Sequence, residues 1–321
     1  PLHFLKAIYP FWTRSKEEAI QHALRMIEIA PDSPRGYQAM SSQALELHGR
    51  IDESIRWLSR AAEIDPRRPG FALQIARLYS ALGDPDMAFA YVDLAKALAA
   101  HDDNSIQHTL IVEQAVIRLV SEEDSAPHIA ELEALLREPT ELENLALGVF
   151  VDLATGKPAD ALDRIETATP KCIGASSIPK GYDICPLELV RVYQELGNFK
   201  AAKDLGNAIL ERRKVWLDGY PLAEVDHLDY ARALTLMGRT NEALDLLEEI
   251  VSSGWRFHDL RFAFYFDVTF DAIRNRERFQ NIVAVIEADM AKQLENARDI
   301  QLRGEIPTLD ELNAMSASAQ R

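Results

Sequence analysis

A glycine followed five residues later by a small residue recurs along this 321-residue chain: Gly49 and Ser54, Gly83 and Ala88, Gly156 and Ala161, Gly197 and Ala202, Gly238 and Ala243. The apolar residues between these markers are spaced by three and four positions. Examples are Ile75, Leu78, Tyr79 and Leu82 before Gly83, and Leu189, Val192, Tyr193 and Leu196 before Gly197. That is helical spacing, not strand alternation. A glycine at a helix end takes the left-handed backbone that closes it. A small residue on the far side of the turn lets the next helix approach closely, and Pro31 and Pro66 stop second helices at the N-terminal end. The pattern predicts antiparallel helical hairpins with short turns, and no strand.

The spacing also sets the organisation. Gly49 and Gly83 are 34 residues apart, whereas Gly156, Gly197 and Gly238 follow each other at 41. Residues 104–137 read as a hairpin without a hinge glycine. Five segments follow: N-terminal repeats over 1–100, divergent acidic hairpins over 101–168, a Pro/Gly/Ser-rich loop over 169–186, C-terminal repeats over 187–254, and over 255–321 an aromatic cap, a long helix from about Asn275 to Leu302 and a partly ordered tail from Pro307.

These residues resemble the tetratricopeptide repeats. Gly49 to Pro66, Tyr79 to Ala95, Tyr193 to Ala202 and Tyr230 to Ala243 match the small-residue, glycine and proline positions of that motif. The resemblance covers most of the chain, and it implies an all-α, TPR-like α-solenoid: a right-handed superhelix of about six to seven hairpins ending in a capping helix. The opening Lys6 to Thr13 with Ser15 to Ile20, and the closing Phe270 to Arg274 with Arg278 and Phe279, are similar to the ends of tetratricopeptide regions attached to bacterial winged-helix transcriptional activators and class III adenylate cyclases. That second resemblance implies a regulatory module of a larger bacterial signalling protein, with its effector domain outside these 321 residues. It places the module in the cytoplasm or the periplasm.

Charge narrows the partners. There are 51 acidic against 35 basic side chains, a formal charge of −16, and residues 101–170 alone hold 15 acidic and 4 basic ones. So acidic a surface repels a phosphate backbone and an anionic membrane, which argues against direct nucleic-acid binding by this chain. The acidic centre reads first as a solvated helix face and second as a patch for a basic partner. No apolar run reaches the length of a membrane span; the longest is Leu145 to Ala154.

Motifs of chemistry are missing. The chain has no phosphate-binding loop, no dinucleotide fingerprint, no His-Glu-x-x-His and no Gly-x-Ser-x-Gly elbow. His101, Asp102, Asp103 and His108 form the densest grouping of metal-ligand types and read as a polar inter-repeat loop, as His227 between Asp226 and Asp229 reads as a helix start. The sequence therefore predicts no catalytic residue, no metal and no cofactor. Cys172 and Cys185, the two cysteines, both fall in the 169–186 loop. Their proximity leaves a disulfide and two unrelated thiols as alternatives, and a disulfide would place the module outside the cytoplasm.

The repeat register singles out four polar positions. The residue six before each hinge glycine lies on the first helix of its hairpin, and the resemblance places that face along the concave groove. These residues are Gln43, Phe150 and three arginines, Arg77, Arg191 and Arg232. Three guanidinium groups on one face suit carboxylates of a partner. The opposing reading is local pairing, of Arg191 with Glu188 or Glu195 and of Arg232 with Asp229. Positions nearer the helix starts, Gly36, Gly70, Ile184 and Val225, lack the Lys and Asn of a peptide-carboxylate clamp. The aromatics Trp255, Phe257, Phe262, Phe264, Tyr265, Phe266 and Phe270 read as a cover for the exposed end of an array, or else as a partner or homodimer surface.

Two expectations of function result. The first is a non-catalytic interaction scaffold that binds a peptide or partner domain through Gln43, Arg77, Arg191 and Arg232. The second is a ligand- or redox-sensing domain that acts through the acidic centre or the cysteine loop on an upstream effector.

Overall fold

A computed structural model of the chain describes residues 16–99, 104–122, 124–137, 145–170, 187–219, 224–256 and 260–319. Among them the protein is all-α. Sixteen α-helices and one short 3-10 helix pack mainly against their chain neighbours.

The hinge glycines organise this packing. Gly83, Gly156, Gly197 and Gly238 have φ between 72° and 80°. Each donates its N–H to the carbonyl three residues back, and the next N–H reaches the carbonyl four residues before the glycine, as Gly83 to Ser80 and Asp84 to Tyr79. This paired closure satisfies carbonyls that the first helix leaves open. On the far side, Ala88, Ala161, Ala202 and Ala243 each donate backbone N–H to the residue after the glycine. All four are 0–3 % exposed, which is why the position takes nothing larger. Gly49 has φ 59°, and the buried Ser54 in the fifth place donates its N–H to Arg50.

The chain divides into two compact units. Unit 1 comprises residues 1–123, 253–261 and 285–321. Its helices are α1 (Lys16–Ile29), α2 (Pro34–His48), α3 (Ile51–Ile64), α4 (Pro69–Leu82), α5 (Pro85–Leu98) and α6 (Asn104–Ser121), together with the part of α15 (Glu277–Leu302) from Val285 onward and with α16 (Leu309–Ala319). The tail expected to be partly ordered is thus a helix. Helix α16 packs against α5, and Ile306 and Leu312 are buried, because the apolar face of α5 is wider than its hairpin partner covers.

Unit 2 comprises residues 124–252 and 262–284. It holds α7 (Ala126–Leu135), α8 (Leu145–Ala154), α9 (Pro158–Ala168), α10 (Glu188–Glu195), α11 (Phe199–Gly219), α12 (Glu224–Leu236) and α13 (Thr240–Ser252). Residues 262–265 of the short α14 (Leu260–Tyr265), the 3-10 helix Val268–Phe270 and the start of α15 (Glu277–Leu302) complete it. Its core runs from Val149 and Ile165 through Leu189, Val192, Leu205 and Ile209 to Leu234 and Ala243. The unit boundary at 123 falls inside the acidic segment that the sequence groups as 101–168, and the C-terminal chain contributes to both units. No helix of the described residues is long and apolar enough to cross a membrane.

Candidate functional site

The five register positions divide between the units. In unit 1, Arg77 on α4 pairs with Glu113 on α6, its Nε donating to Oε1 at 2.9 Å. Gln43 lies on α2, and its side chain is outside the described residues, as are Cys172, Cys185 and the loop that holds them. Arg77 therefore has an internal carboxylate that sequence reasoning did not find, since Glu113 is 36 residues away.

In unit 2 the remaining register positions all meet one segment, residues 262–271. Phe150 on α8 packs edge-on against Phe262 with ring centroids 5.2 Å apart, and against Phe266 at 6.2 Å. Arg191 on α10 pairs with Glu195 at 2.7 Å and with Asp271 at 3.5 Å. Arg232 on α12 pairs with Asp229 at 3.0 Å and with Asp267. The local partners Glu195 and Asp229 are the ones helical spacing predicts, whereas Asp267 and Asp271 come from the aromatic run. The part of the run over residues 262–271 therefore packs on helices of unit 2. Its 3-10 helix packs on α10 and α12, the first helices of successive hairpins, and so occupies the face that the register assigns to ligand. Phe264, Phe270 and Phe279 pack together with centroids 5.6–5.9 Å apart and form its buried anchor. Of the described aromatics of the run only Tyr265 is substantially exposed. The signal available in the sequence was a pair of acids, Asp267 and Asp271, inside a stretch otherwise too apolar to be a surface loop.

Around Arg232 the charges do not balance. Glu188, Asp229 and Asp267 face one guanidinium. Burial works against the charge on Arg232, and the three carboxylates outweigh it, holding its pKa above the ordinary value. Burial pushes the Glu188 carboxyl up; Arg232 pulls the other way, and Asp267 and Asp229 add to the rise. Asp267 is 5 % exposed and also accepts from the Thr269 N–H at 2.9 Å and hydroxyl at 2.6 Å. This cluster ties the segment to α10 and α12. It is an internal fastening, and a partner's carboxylate would find Arg232 already surrounded.

Beside the fastening lies an open cleft of about 460 Å³. Phe150, Leu153 and Ala154 of α8, the hinge Gly156, Arg191 and Glu195 of α10, and Tyr265, Phe266, Val268, Asp271 and Arg274 line it. The floor is apolar, and the rim alternates in sign, with Arg191 between Glu195 and Asp271, and Asp271 reaching on to Arg274 at 3.2 Å. Arg274 donates to the carbonyls of Phe264 and Asp267, which fixes the turn that forms one wall. The two register positions that share a cleft are therefore Phe150 and Arg191; Arg77 and Arg232 are not part of it.

A second recess of about 350 Å³ between α7, α8 and α9 is polar. There Arg164 grips Asp152 through Nε at 2.8 Å and donates to the Leu136 carbonyl at 2.9 Å, which makes it a clamp between helices. Among the described residues no group of three or more His, Cys, Asp or Glu is arranged to hold a metal ion. No protein-family model matches the chain, and no curated protein is significantly similar to it in sequence.

Proposed function

We propose that this chain is a tetratricopeptide-like helical array that acts as a non-catalytic protein-interaction module, with its partner-binding face at the cleft of unit 2. The observation that carries this reading is the cleft itself. It joins an apolar floor, an exposed aromatic ring and an alternating charged rim at two positions that the repeat register assigns to the inner face of the hairpins. Burial of a partner's apolar side chain against Phe150 and Phe266 supplies affinity, and the rim supplies orientation. Arg77 and Arg232, which carry internal carboxylates, serve the fold in this reading. Arg191 belongs to the rim.

The test is capture of partners by affinity purification with cross-linking, comparing the wild-type chain with Tyr265→Glu. Tyr265 is 43 % exposed, so the substitution leaves the fold intact, and far-ultraviolet circular dichroism checks that it does. Partners recovered by the wild type and lost with Tyr265→Glu support the reading. An unchanged set of partners removes the cleft from it.

A further inference from the structure

The cleft has an occupied counterpart within the same chain. In unit 1, the hairpin of α4 and α5 turns at Gly83, and the side chain of Arg261 lies across that turn. Its Nε donates to the Ala81 carbonyl at 3.0 Å, its Nη2 pairs with Glu287 at 2.7 Å, and the guanidinium stands 2.6 Å from where a Cβ on Gly83 would be. The arginine thus uses three features: a carbonyl that the helix end leaves open, a nearby carboxylate, and the missing side chain of the hinge glycine. Cations are favoured at such an end because the carbonyls of the last turn carry partial negative charge.

The hairpin of α8 and α9 turns at Gly156 with the same two hydrogen bonds, Gly156 to Leu153 and Lys157 to Asp152. Ala154 is therefore the equivalent of Ala81. Among the described residues, no atom of another part of the chain comes within 4 Å of a Cβ built on Gly156. The space beside it is the cleft, with Ala154 and Gly156 in its wall, the carboxylates of Glu195 and Asp271 on its rim and the rings of Tyr265 and Phe266 opposite. All three features are present, with aromatic faces added, and no side chain of the described residues fills them.

We infer that the cleft accepts an arginine side chain of a partner protein, seated at the Gly156 hinge as Arg261 is at the Gly83 hinge. The inference rests on the module reading above and names the chemistry of its partner. Exposure decides the sign of the ligand. Glu195 and Asp271 are 43 % and 42 % exposed, whereas Arg191 and Arg274 are 30 % and 22 % exposed, so an approaching group meets the carboxylates first. Arg274 is also committed to two carbonyls. Glu195 meets Arg191 through Oε1, which leaves Oε2 for a second donor. A planar guanidinium suits this site better than an ammonium, because it can bond a carbonyl and a carboxylate at once while stacking on a ring. The excess negative charge of unit 2, 26 acidic against 16 basic residues, draws a cation toward it.

The experiment is a nuclear magnetic resonance titration of the full chain with N-acetyl-arginine amide, and in parallel with N-acetyl-lysine amide and N-acetyl-aspartate amide. The expected result is saturable, millimolar movement of the Gly156 and Glu195 amide signals with the arginine probe, weaker movement with lysine and none with aspartate. In Glu195→Gln combined with Asp271→Asn the arginine affinity should fall about tenfold. Tyr265→Ala, at an exposed position, provides a second variant and should weaken binding about threefold. Absence of saturable movement overturns the inference, as does equal binding by the carboxylate variant or a response to the aspartate probe in place of arginine. If partner capture is lost with Tyr265→Glu but the arginine probe does not bind, the inference fails while the module reading stands.

Discussion

The hinges of the two units share a left-handed glycine and are finished differently. In unit 1 they are closed by the chain itself. The Gly49 turn is covered by Gly254 and Arg256, Gln293 of α15 donates to the Gly49 carbonyl at 2.9 Å and accepts from the Ile51 N–H at 2.7 Å, and Arg261 fills the place beside Gly83. In unit 2, Gly156, Gly197 and Gly238 have the same left-handed φ, and among the described residues nothing packs beside any of them. Leu196 and Phe199, which flank Gly197, are 41 % and 69 % exposed. The same local motif therefore serves as a packing surface in one unit and as a free edge in the other. Unit 1 spends its hinges on stability, and unit 2 keeps them available.

The largest test of this contrast is alanine at equivalent glycines. Gly49→Ala adds a Cβ that collides with the Gly254 carbonyl on top of its left-handed φ, and should cost about 3 kcal/mol or more. Gly197→Ala meets only the backbone penalty, about 1 kcal/mol. Urea unfolding followed by hydrogen exchange over each unit reads both; equal costs would break the comparison.

A smaller effect is expected from Gln293→Leu. It strands a buried carbonyl and a buried N–H at the start of α3, at about 2 kcal/mol, and exchange protection should fall over residues 51–64 before it falls elsewhere.

The pH response should separate the units next. Glu188 has its pKa raised in the folded unit 2, so it retains a proton there at pH values where the unfolded chain has lost it. Its contribution to stability is fully present below the ordinary carboxylate pKa and is lost as pH rises from there through the raised folded value. Unit 2 should gain stability as pH falls from neutral through that window. Glu188→Gln should flatten the gain, measured by hydrogen exchange of α10 and α12 at several pH values. An unchanged slope would remove Glu188 from the cluster's energetics.

The smallest expected effect is at the free edge. Phe199→Ser should change stability by less than about 0.5 kcal/mol, because a side chain mostly in water gives up little on truncation. A larger loss in thermal unfolding would mean that this edge is part of the fold after all.

Much of this architecture can be read from the chain, and the reason is distance along it. The hinge glycine, its five-residue companion and the apolar spacing act within a dozen residues, so the helices and their pairing are legible. So are the pairs at helical spacing, Arg191 with Glu195 and Arg232 with Asp229. Glu113, Asp267 and Asp271 stand 35 to 80 residues from their arginines, and Arg261 and Gln293 reach back 180 and 244 residues to Ala81 and Gly49. No periodicity carries that information. A carboxylate at any of many acidic positions satisfies local rules equally well.

The site divides along the same line. The sequence alone determined that the chain is helical, where its hairpins turn and which side chains share a face, because backbone hydrogen bonding and helical period act locally. Tertiary structure alone decided that the aromatic run would lie across that face, pairing Arg232 and leaving Phe150 and Arg191 in a cleft. It also decided which hinges would be covered. Burial of Phe264, Phe270 and Phe279 chooses where the returning chain settles, and that choice depends on the shape of surfaces that exist only once the hairpins have packed.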